Sequence, residues 1–189
     1  MIRRARLAVV VAVALLPSCS SQTGGAELGG RIEPLCHDPT EAIVLLAQTV
    51  QGATKLPCIA GYPAGWSYGG DDFRKGSGTF WLDSAIAGER AVEVRLSASC
   101  DSAGGEPIDP GIEGVEATTT TGPLGETRRY VFAGGCVEQT IAHRAGADDA
   151  LLAEAELTLG FRDRAELAAT LQRDYDVTLC GAGAEPCAG

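Results

Sequence analysis

A serine flanked by glycines has the spacing of a catalytic nucleophile. Residues 65–69 read Gly-Trp-Ser-Tyr-Gly and fit the G-x-S-x-G pattern, in which a sharp strand-to-helix turn exposes the serine hydroxyl, here that of Ser67. His143 lies downstream, and Asp101 or Asp109 lies between the two, in the chain order that such a triad requires. The flanking residues predict neither a buried strand before the serine nor a helix after it. Because this context is missing, we predict no enzymatic activity. A small serine hydrolase using Ser67 and His143 is the alternative interpretation.

Metal and cofactor chemistry has little support in the pattern. The two histidines, His37 and His143, stand apart, and the cysteines form neither a Cys-x-x-Cys motif nor a Cys/His quartet. Two acid pairs, at 71–72 and 148–149, lack the alternating oxygen ligands of a calcium loop. We interpret the first pair as solvated charge and the second as the acidic start of a helix. The sequence thus predicts no metal site and no cofactor.

Large aromatic side chains concentrate in one predicted hairpin, at Trp66, Tyr68, Phe73, Phe80 and Trp81. Aromatic rings usually fill cores, and that is the first interpretation of this cluster. Alternation along a strand, however, places Trp81 on the face opposite Phe80. An exposed aromatic on a sheet is a common recognition element, so Trp66, Tyr68 and Trp81 are the predicted binding surface.

The composition excludes some classes of protein. The chain has 189 residues, with 25 acidic and 15 basic side chains and a net charge of −10. Its hydrophobic content of 45% is too high for a disordered chain, and its length suits one domain with a substantial core. Phosphate binding needs a basic face, so we predict no nucleic-acid partner.

The N-terminus has the pattern of an export signal. Arg3, Arg4 and Arg6 precede an apolar run from Leu7 to Leu16. As a helix this run would rise about 15 Å, half the thickness of a hydrocarbon core, so it is too short to span a membrane. A charged start, a short apolar stretch and small residues after it predict a signal peptide over residues 1–18.

The next residues, Leu16-Pro17-Ser18-Cys19, resemble the lipobox of bacterial lipoproteins. The resemblance covers residues 1–19 and implies that Cys19 becomes the first mature residue and carries a thioether-linked diacylglycerol. Two acyl chains give durable attachment to a membrane. The expected location is the outer face of the cell membrane. An ordinary secretory signal followed by an incidental cysteine is the other interpretation.

Four further runs, LCHDPTEAIVLLAQ, LPCI, PAGW and YVFAGGCV, are similar to uncharacterised exported actinobacterial proteins. An excess of arginine over lysine, 13 to 2, and the absence of asparagine are typical of a GC-rich genome and agree with that resemblance. The resemblance implies no activity. The polar, glycine-rich stretch from Ser20 to Glu33 predicts a flexible tether. We divide the chain into a signal peptide (1–18), a lipidated cysteine with its tether (19–35) and one domain (36–189).

The remaining cysteines agree with export. Apart from Cys19 there are six, and an even number in an exported chain predicts disulfides. Six cysteines allow many pairings, and our preferred pairs are Cys36–Cys58, Cys100–Cys136 and Cys180–Cys187. The first would join the start of a helix to the segment that runs back after it. The second would join two strand ends, and the third would hold the C-terminal tail.

Helix signals lie at both ends of the domain. Asp38, Pro39 and Glu41 have the spacing of a capped helix start, and apolar residues recur on one face up to Val50. The second predicted helix runs over 148–159 and stops at Gly160. A third begins with a capping box at Asp163 and Glu166 and reaches Tyr175. Residues 177–179 predict a short final strand.

Strand signals fill the middle of the domain, over the ranges 66–73, 79–83, 91–96, 113–121, 128–132 and 136–142. The fifth range continues into a Gly-Gly turn, which predicts a hairpin. The run Thr118–Thr121 favours an exposed strand, with O-glycosylation as an alternative. The predicted fold is α+β, a single disulfide-stabilised domain with about six antiparallel strands, one N-terminal helix and two C-terminal helices.

These patterns predict a membrane-anchored extracytoplasmic lipoprotein whose domain binds an envelope protein or ligand without catalysis. The sequence has the patterns of an anchor, a tether and a globular domain, but it has no complete set of catalytic residues. The alternatives are the small hydrolase described above and a structural component of the cell envelope. The predicted partners are the membrane, through the N-terminal lipid, and one unidentified envelope component.

The Cys19→Ala variant tests the anchor. Without the thiol no diacylglycerol can be attached, so we expect the variant to leave the membrane fraction while the unaltered protein partitions into detergent. The measurement is immunoblotting of membrane, detergent and aqueous fractions after a salt wash. A variant that stays in the washed membranes to the same extent as the unaltered protein would contradict the lipid anchor.

Overall fold

The computed structural model of the chain describes residues 32–101, 104–123, 125–142 and 149–180. Within these ranges the fold is α+β, with one N-terminal and two C-terminal helices as the sequence predicts. The helices are α1 (Glu41–Thr49), α2 (Asp149–Thr158) and α3 (Arg164–Tyr175). The strands are β1 (Lys55–Ile59), β2 (Trp66–Arg74), β3 (Ser77–Ser84), β4 (Gly88–Ser97), β5 (Glu106–Ile108), β6 (Glu116–Gly122), β7 (Gly125–Phe132), β8 (Gly135–Ala142) and β9 (Leu159–Asp163). The predicted signal peptide, Cys19, the tether up to residue 31, His143 and Cys187 lie outside the described residues.

Seven strands form one antiparallel sheet in the order β2-β3-β4-β8-β7-β6-β5. Two meanders, β2 to β4 and β5 to β8, meet where β4 pairs with β8, with Val94 opposite Gln139. The remaining strands, β1 and β9, pair with each other in a separate two-stranded sheet. The described part of the chain thus has more strands than the six predicted. The additional ones are short, and β1 and β5 each contain a proline, which weakens a strand pattern.

The large sheet has two chemically different faces. In β3 the buried positions alternate with half-buried ones, so Phe80 and Leu82 point to one side and Trp81 to the other. We call the first side the covered face. The second, which we call the open face, is polar along the neighbouring strands; its central residues are Thr79, Trp81, Glu93, Arg95, Thr127, Arg129, Glu138 and Thr140.

The three helices, β1 and β9 form a layer on the covered face, which we call the helical layer. The sheet and α1 pack closely at Gly78, where a methyl group would lie 2.3 Å from the side chain of Leu46 in α1. On β8, the buried Gln139 donates a hydrogen bond from Nε2 to the carbonyl of Ala155 in α2 at 3.3 Å. The core therefore lies between this layer and the sheet. No helix of the described ranges combines the length and hydropathy needed to cross a bilayer.

The N-cap of α1 is Thr40, and the predicted cap at Asp38 is wrong. The Thr40 Oγ1 accepts a hydrogen bond from the Ile43 N–H at 3.3 Å and donates one to the carbonyl of Glu33 at 2.8 Å. The structure thus uses a later residue with the same hydrogen-bonding ability. The second bond ties the helix start to the chain that precedes the domain.

The start of α3 also differs from the predicted capping box. Asp163 occupies the N-cap position, but its side chain makes no cap hydrogen bond. Its Oδ1 instead lies 2.7 Å from Lys55 Nζ across the β1–β9 pair. The helix ends at Asp176, which adopts a left-handed conformation with φ of 54°. The predicted strand over 177–179 is wrong, because residues 176–180 form no regular element.

Two of the three predicted disulfides are present in the described residues. Cys36 pairs with Cys58, with Cα atoms 5.0 Å apart, and joins the segment before α1 to β1. Cys100 pairs with Cys136, with Cα atoms 5.7 Å apart, and joins the end of β4 to the start of β8. Cys180 is disulfide-bonded as well, while its predicted partner, Cys187, lies outside the described residues.

A buried arginine connects the helical layer. Arg164, the first residue of α3, has no solvent exposure. Its Nη1 donates to the carbonyls of Ala47 at 2.7 Å and Val50 at 3.4 Å, at the C-terminal end of α1, and its Nη2 donates to the carbonyl of Cys180. The last carbonyls of a helix lack intrahelical partners and carry partial negative charge, so a guanidinium suits this position. Burial lowers the pKa of Arg164, but a guanidinium remains charged at neutral pH.

We expect Arg164→Met to destabilise the fold by about 2 kcal/mol or more, because each buried unsatisfied group costs about 1–3 kcal/mol. The substitution keeps an aliphatic chain but leaves the carbonyls of Ala47 and Cys180 without their charged donor, whereas the Val50 carbonyl keeps its bond from the Ala53 N–H. Urea unfolding under non-reducing conditions measures the change. Arg173→Met is the matched control, because Arg173 is exposed on the same helix and surface changes usually stay within about 0.5 kcal/mol. Equal losses in both variants would contradict the role of Arg164.

Candidate functional site

The three predicted aromatic binding residues do not share a surface. Trp66 is buried on the covered face, where its Nε1 donates to Glu154 Oε2 in α2 at 2.9 Å. Tyr68 lies half-buried on the same face and donates to Asp71 through its hydroxyl. Burial and this contact raise the pKa of Tyr68. Trp81 points to the open face. The strand alternation that predicts Trp81 opposite Phe80 is thus correct, but a joint surface with Trp66 and Tyr68 is not formed.

Trp81 is held in a fixed position on the open face. A methyl group on Gly70 would lie 2.7 Å from the indole ring, and one on Gly69 would lie 2.6 Å from it, so the ring packs directly over the β2 backbone. On its other side, the guanidinium carbon of Arg90 lies 4.1 Å from the ring centroid, within the range of a cation–π contact. Trp81 is therefore covered by its neighbours and only half exposed.

Ser67 does not lie at a nucleophile elbow. It is an exposed residue in β2, an edge strand, and pairs with Asp83 of β3. The following residues continue the strand because they pair with β3, so the strand-to-helix turn is absent. Asp109 follows β5 at the opposite edge, six strand spacings away, or about 29 Å. The structure does not bring Ser67 and Asp109 together, and His143 lies outside the described residues.

A cleft of about 440 Å³ opens on the covered face, between β7, the chain after β5, the end of α2 and β9. Its lining is partly apolar and partly charged, and consists of Ile108, Asp109, Pro110, Ile112, Arg128, Tyr130, Glu156, Leu159, Gly160 and Phe161. The rings of Tyr130 and Phe161 contact each other with centroids 5.1 Å apart. A mixed lining of this size is typical of small-molecule sites, so this cleft is the candidate functional site.

The charged groups of the cleft are fixed by one another. Arg128 lies with its Nε 2.5 Å from Glu126 Oε1 and its Nη2 2.5 Å from Glu156 Oε1. Burial by itself lowers the pKa of Arg128, but the hydrogen bonds and negative charges of the two glutamates outweigh that effect and raise it above its ordinary value. The backbone N–H of Gly111 donates to Asp109 Oδ1 at 2.9 Å. Each carboxylate lining the cleft thus has one oxygen held in place.

The floor of the cleft rests on a buried polar network. The Tyr130 hydroxyl donates to Gln139 Oε1 at 3.3 Å, and the Gln139 amide donates to the Ala155 carbonyl at 3.3 Å. Thr158 donates to the same carbonyl at 2.7 Å. Burial is the main cause that raises the pKa of Tyr130. A buried network with satisfied partners restrains its members, so Tyr130 has a defined orientation.

The open face offers a second, smaller depression of about 210 Å³. Its charges already pair with each other, with Arg95 Nη2 3.2 Å from Glu93 Oε1 and Arg129 Nε 3.1 Å from Glu138 Oε1. Exposed pairs of this kind contribute little energy. The depression lacks the aromatic wall of the cleft, and we rank it second.

Sequence reasoning missed the cleft almost completely. It considered Asp109 only as a triad acid and assigned no role to Arg128, Tyr130, Glu156 or Phe161. The one available signal is the i, i+2 spacing of Glu126 and Arg128, which places both on one strand face.

For metals, the described residues contain no group of three or more histidine, cysteine, aspartate or glutamate side chains that could hold an ion.

We expect no labelling of Ser67 by a fluorophosphonate probe. An exposed serine in a strand, without an elbow, has no activated hydroxyl. The measurement is in-gel fluorescence of the full chain, with Ser67→Ala as the control and a known serine hydrolase as the positive standard. Labelling that disappears in Ser67→Ala would restore the hydrolase interpretation.

The candidate site is defined by the geometry of this chain alone. Its aromatic wall, its paired charges and its buried network each join residues of β7 or β8 to residues of α2 or β9. The chain matches no protein-family model, no curated protein and no solved structure.

Proposed function

We propose that this chain is a lipid-anchored extracytoplasmic binding protein that holds a small ligand in the cleft between β7, β9 and the chain after β5. The observation that carries the proposal is the combination of an apolar aromatic wall with charged groups that are already oriented. Fixed polar groups reduce the ordering cost of binding, which is what a preformed site requires.

The N-terminal sequence supports the location. The lipobox-like residues before Cys19 and the polar tether after them would place the domain outside the cytoplasm. Two disulfides in the described part of the head suit an oxidising compartment. Anchor, tether and head together suit a protein that presents a ligand site at the membrane surface.

Arg128 and Tyr130 are suited to a binding role. A general acid or base works best with a pKa near the working pH. The shifts of Arg128 and Tyr130 both move their pKa values upward, away from neutrality. Both groups therefore keep one protonation state at neutral pH and act as constant hydrogen-bonding groups.

A blocking variant tests the proposal. Ile112→Trp places a larger side chain in the lining, and we expect it to abolish binding of any ligand that occupies the cleft. The experiment is a thermal-shift survey of small organic amines, acids and sugars on the full chain in non-ionic detergent. A ligand at 100 times its dissociation constant stabilises the folded state by about 2.7 kcal/mol, or a shift of several degrees.

The control is Ile86→Trp, because Ile86 is the most exposed of the large hydrophobic side chains described, at 75%. We expect this variant to show the same shifts as the unaltered chain. The proposal fails if no compound gives a saturable shift, or if the shifts survive in Ile112→Trp as well as in Ile86→Trp.

A further inference from the structure

Negative charge dominates the cleft. Arg128 is the cation of its lining, and Glu126 and Glu156 already neutralise it, each at 2.5 Å. Asp109 is the second carboxylate of the lining beside Glu156, so two negative groups and one guanidinium line the cleft, and Glu126, which lies outside the lining, pairs with the same guanidinium. An anionic ligand would meet a guanidinium whose charge is already compensated, together with carboxylates that repel it.

The carboxylates keep capacity for a ligand. A carboxylate has about four acceptor sites on its two oxygens. Arg128 engages Oε1 of Glu156, and the Gly111 N–H engages Oδ1 of Asp109. These bonds therefore hold the second oxygens, Glu156 Oε2 and Asp109 Oδ2, in a defined orientation. They do not occupy the acceptor sites of those oxygens. Glu156 is about half exposed, at 48% of its side chain, so a ligand can reach it.

The remaining lining suits the apolar part of the same ligand. Ile108, Ile112 and the ring of Phe161 line the cleft beside these acids. Phe161 contacts Tyr130 at 5.1 Å and Phe132 at 6.3 Å between centroids, so its ring is packed against two others. Aromatic rings attract cations through their negative faces, and apolar contact adds the hydrophobic term.

We propose that the ligand of this cleft is a small organic cation, an ammonium group carried on an aromatic or short aliphatic body. The cation lies against Glu156 and Asp109, and the body lies against the aromatic wall. This inference rests on the proposed binding function and adds the charge of the ligand. A neutral sugar would use the hydrogen bonds without gaining from the charge, and an anion would be repelled.

A charge series with one body tests the inference. The probes are 2-phenylethylamine, 2-phenylethanol and 3-phenylpropionate, which are cationic, neutral and anionic at pH 7. We expect the amine to bind the full chain in non-ionic detergent at least tenfold more tightly than the alcohol, with no saturable binding of the acid. Raising the ionic strength should weaken the amine alone, because salt screens partly exposed charges. Isothermal titration measures all three.

Matched variants locate the effect. Glu156→Gln and Asp109→Asn should each weaken the amine about fivefold and leave the alcohol unchanged. Glu138→Gln is the control, since Glu138 also pairs with an arginine, at 3.1 Å, but on the open face. We expect this variant to bind like the unaltered chain. Because Asp109 lies outside the Arg128 pairs, its variant stays informative if Glu156→Gln misfolds.

The possible failures are distinct. Equal binding of the amine and the alcohol, or tighter binding of the acid, with Ile112→Trp still blocking it, would overturn the cation and leave the binding function standing. An absence of binding by the amine would also overturn the cation. An absence of binding by every compound in the thermal-shift survey would overturn the binding function itself.

Discussion

Burying a guanidinium is costly unless oxygen atoms accept its hydrogen bonds, and those of Arg164 go to the carbonyls of Ala47 and Val50 at the end of α1 and to the carbonyl of Cys180. Its side chain joins the end of α1 to Cys180, and its own N–H donates to the Thr54 carbonyl at 2.9 Å. Thr54 in turn bonds the carbonyl of Ala133 in the β7–β8 turn, from its N–H at 3.1 Å and its hydroxyl at 2.9 Å. Arg164 thus connects the parts of the helical layer through its guanidinium, and its backbone N–H connects that layer to the sheet through Thr54.

The position of the cleft follows from this alignment. Arg164 comes directly after β9, so the bonds that hold it also help to place Phe161 of β9 against Tyr130 and Phe132 of β7. Gly160 has little freedom, since a methyl group there would lie 2.6 Å from the Cys36 sulfur. Residues of β7 and β9 and of the chain after β5 line the cleft. Stability and the candidate site therefore depend on the same contacts.

Much of the fold could be predicted because strand and helix patterns are local. The alternation of Phe80, Trp81 and Leu82 predicts the two faces of β3, and the structure has them. The caps show where local reasoning stops. Thr40 and Asp38 are both capable N-caps, and Thr40 takes the role because its hydroxyl also reaches the Glu33 carbonyl. Asp163 has a capping spacing but pairs with Lys55, a residue distant in sequence.

The sequence by itself determined the class of fold and the alternation of side chains along the strands, because each depends on periodicity or on the order of neighbouring elements. It left the pairing of the cysteines open, and the structure confirms two of the preferred pairs, Cys36–Cys58 and Cys100–Cys136. Only the tertiary structure decided which faces are covered and which residues meet. Trp66 and Trp81 both lie in strands of one predicted hairpin. In the structure Trp66 is buried against Glu154, whereas Trp81 lies over Gly70. Arg128 and Glu156 meet because α2 packs on β7, a contact between elements separated in sequence that no local pattern encodes.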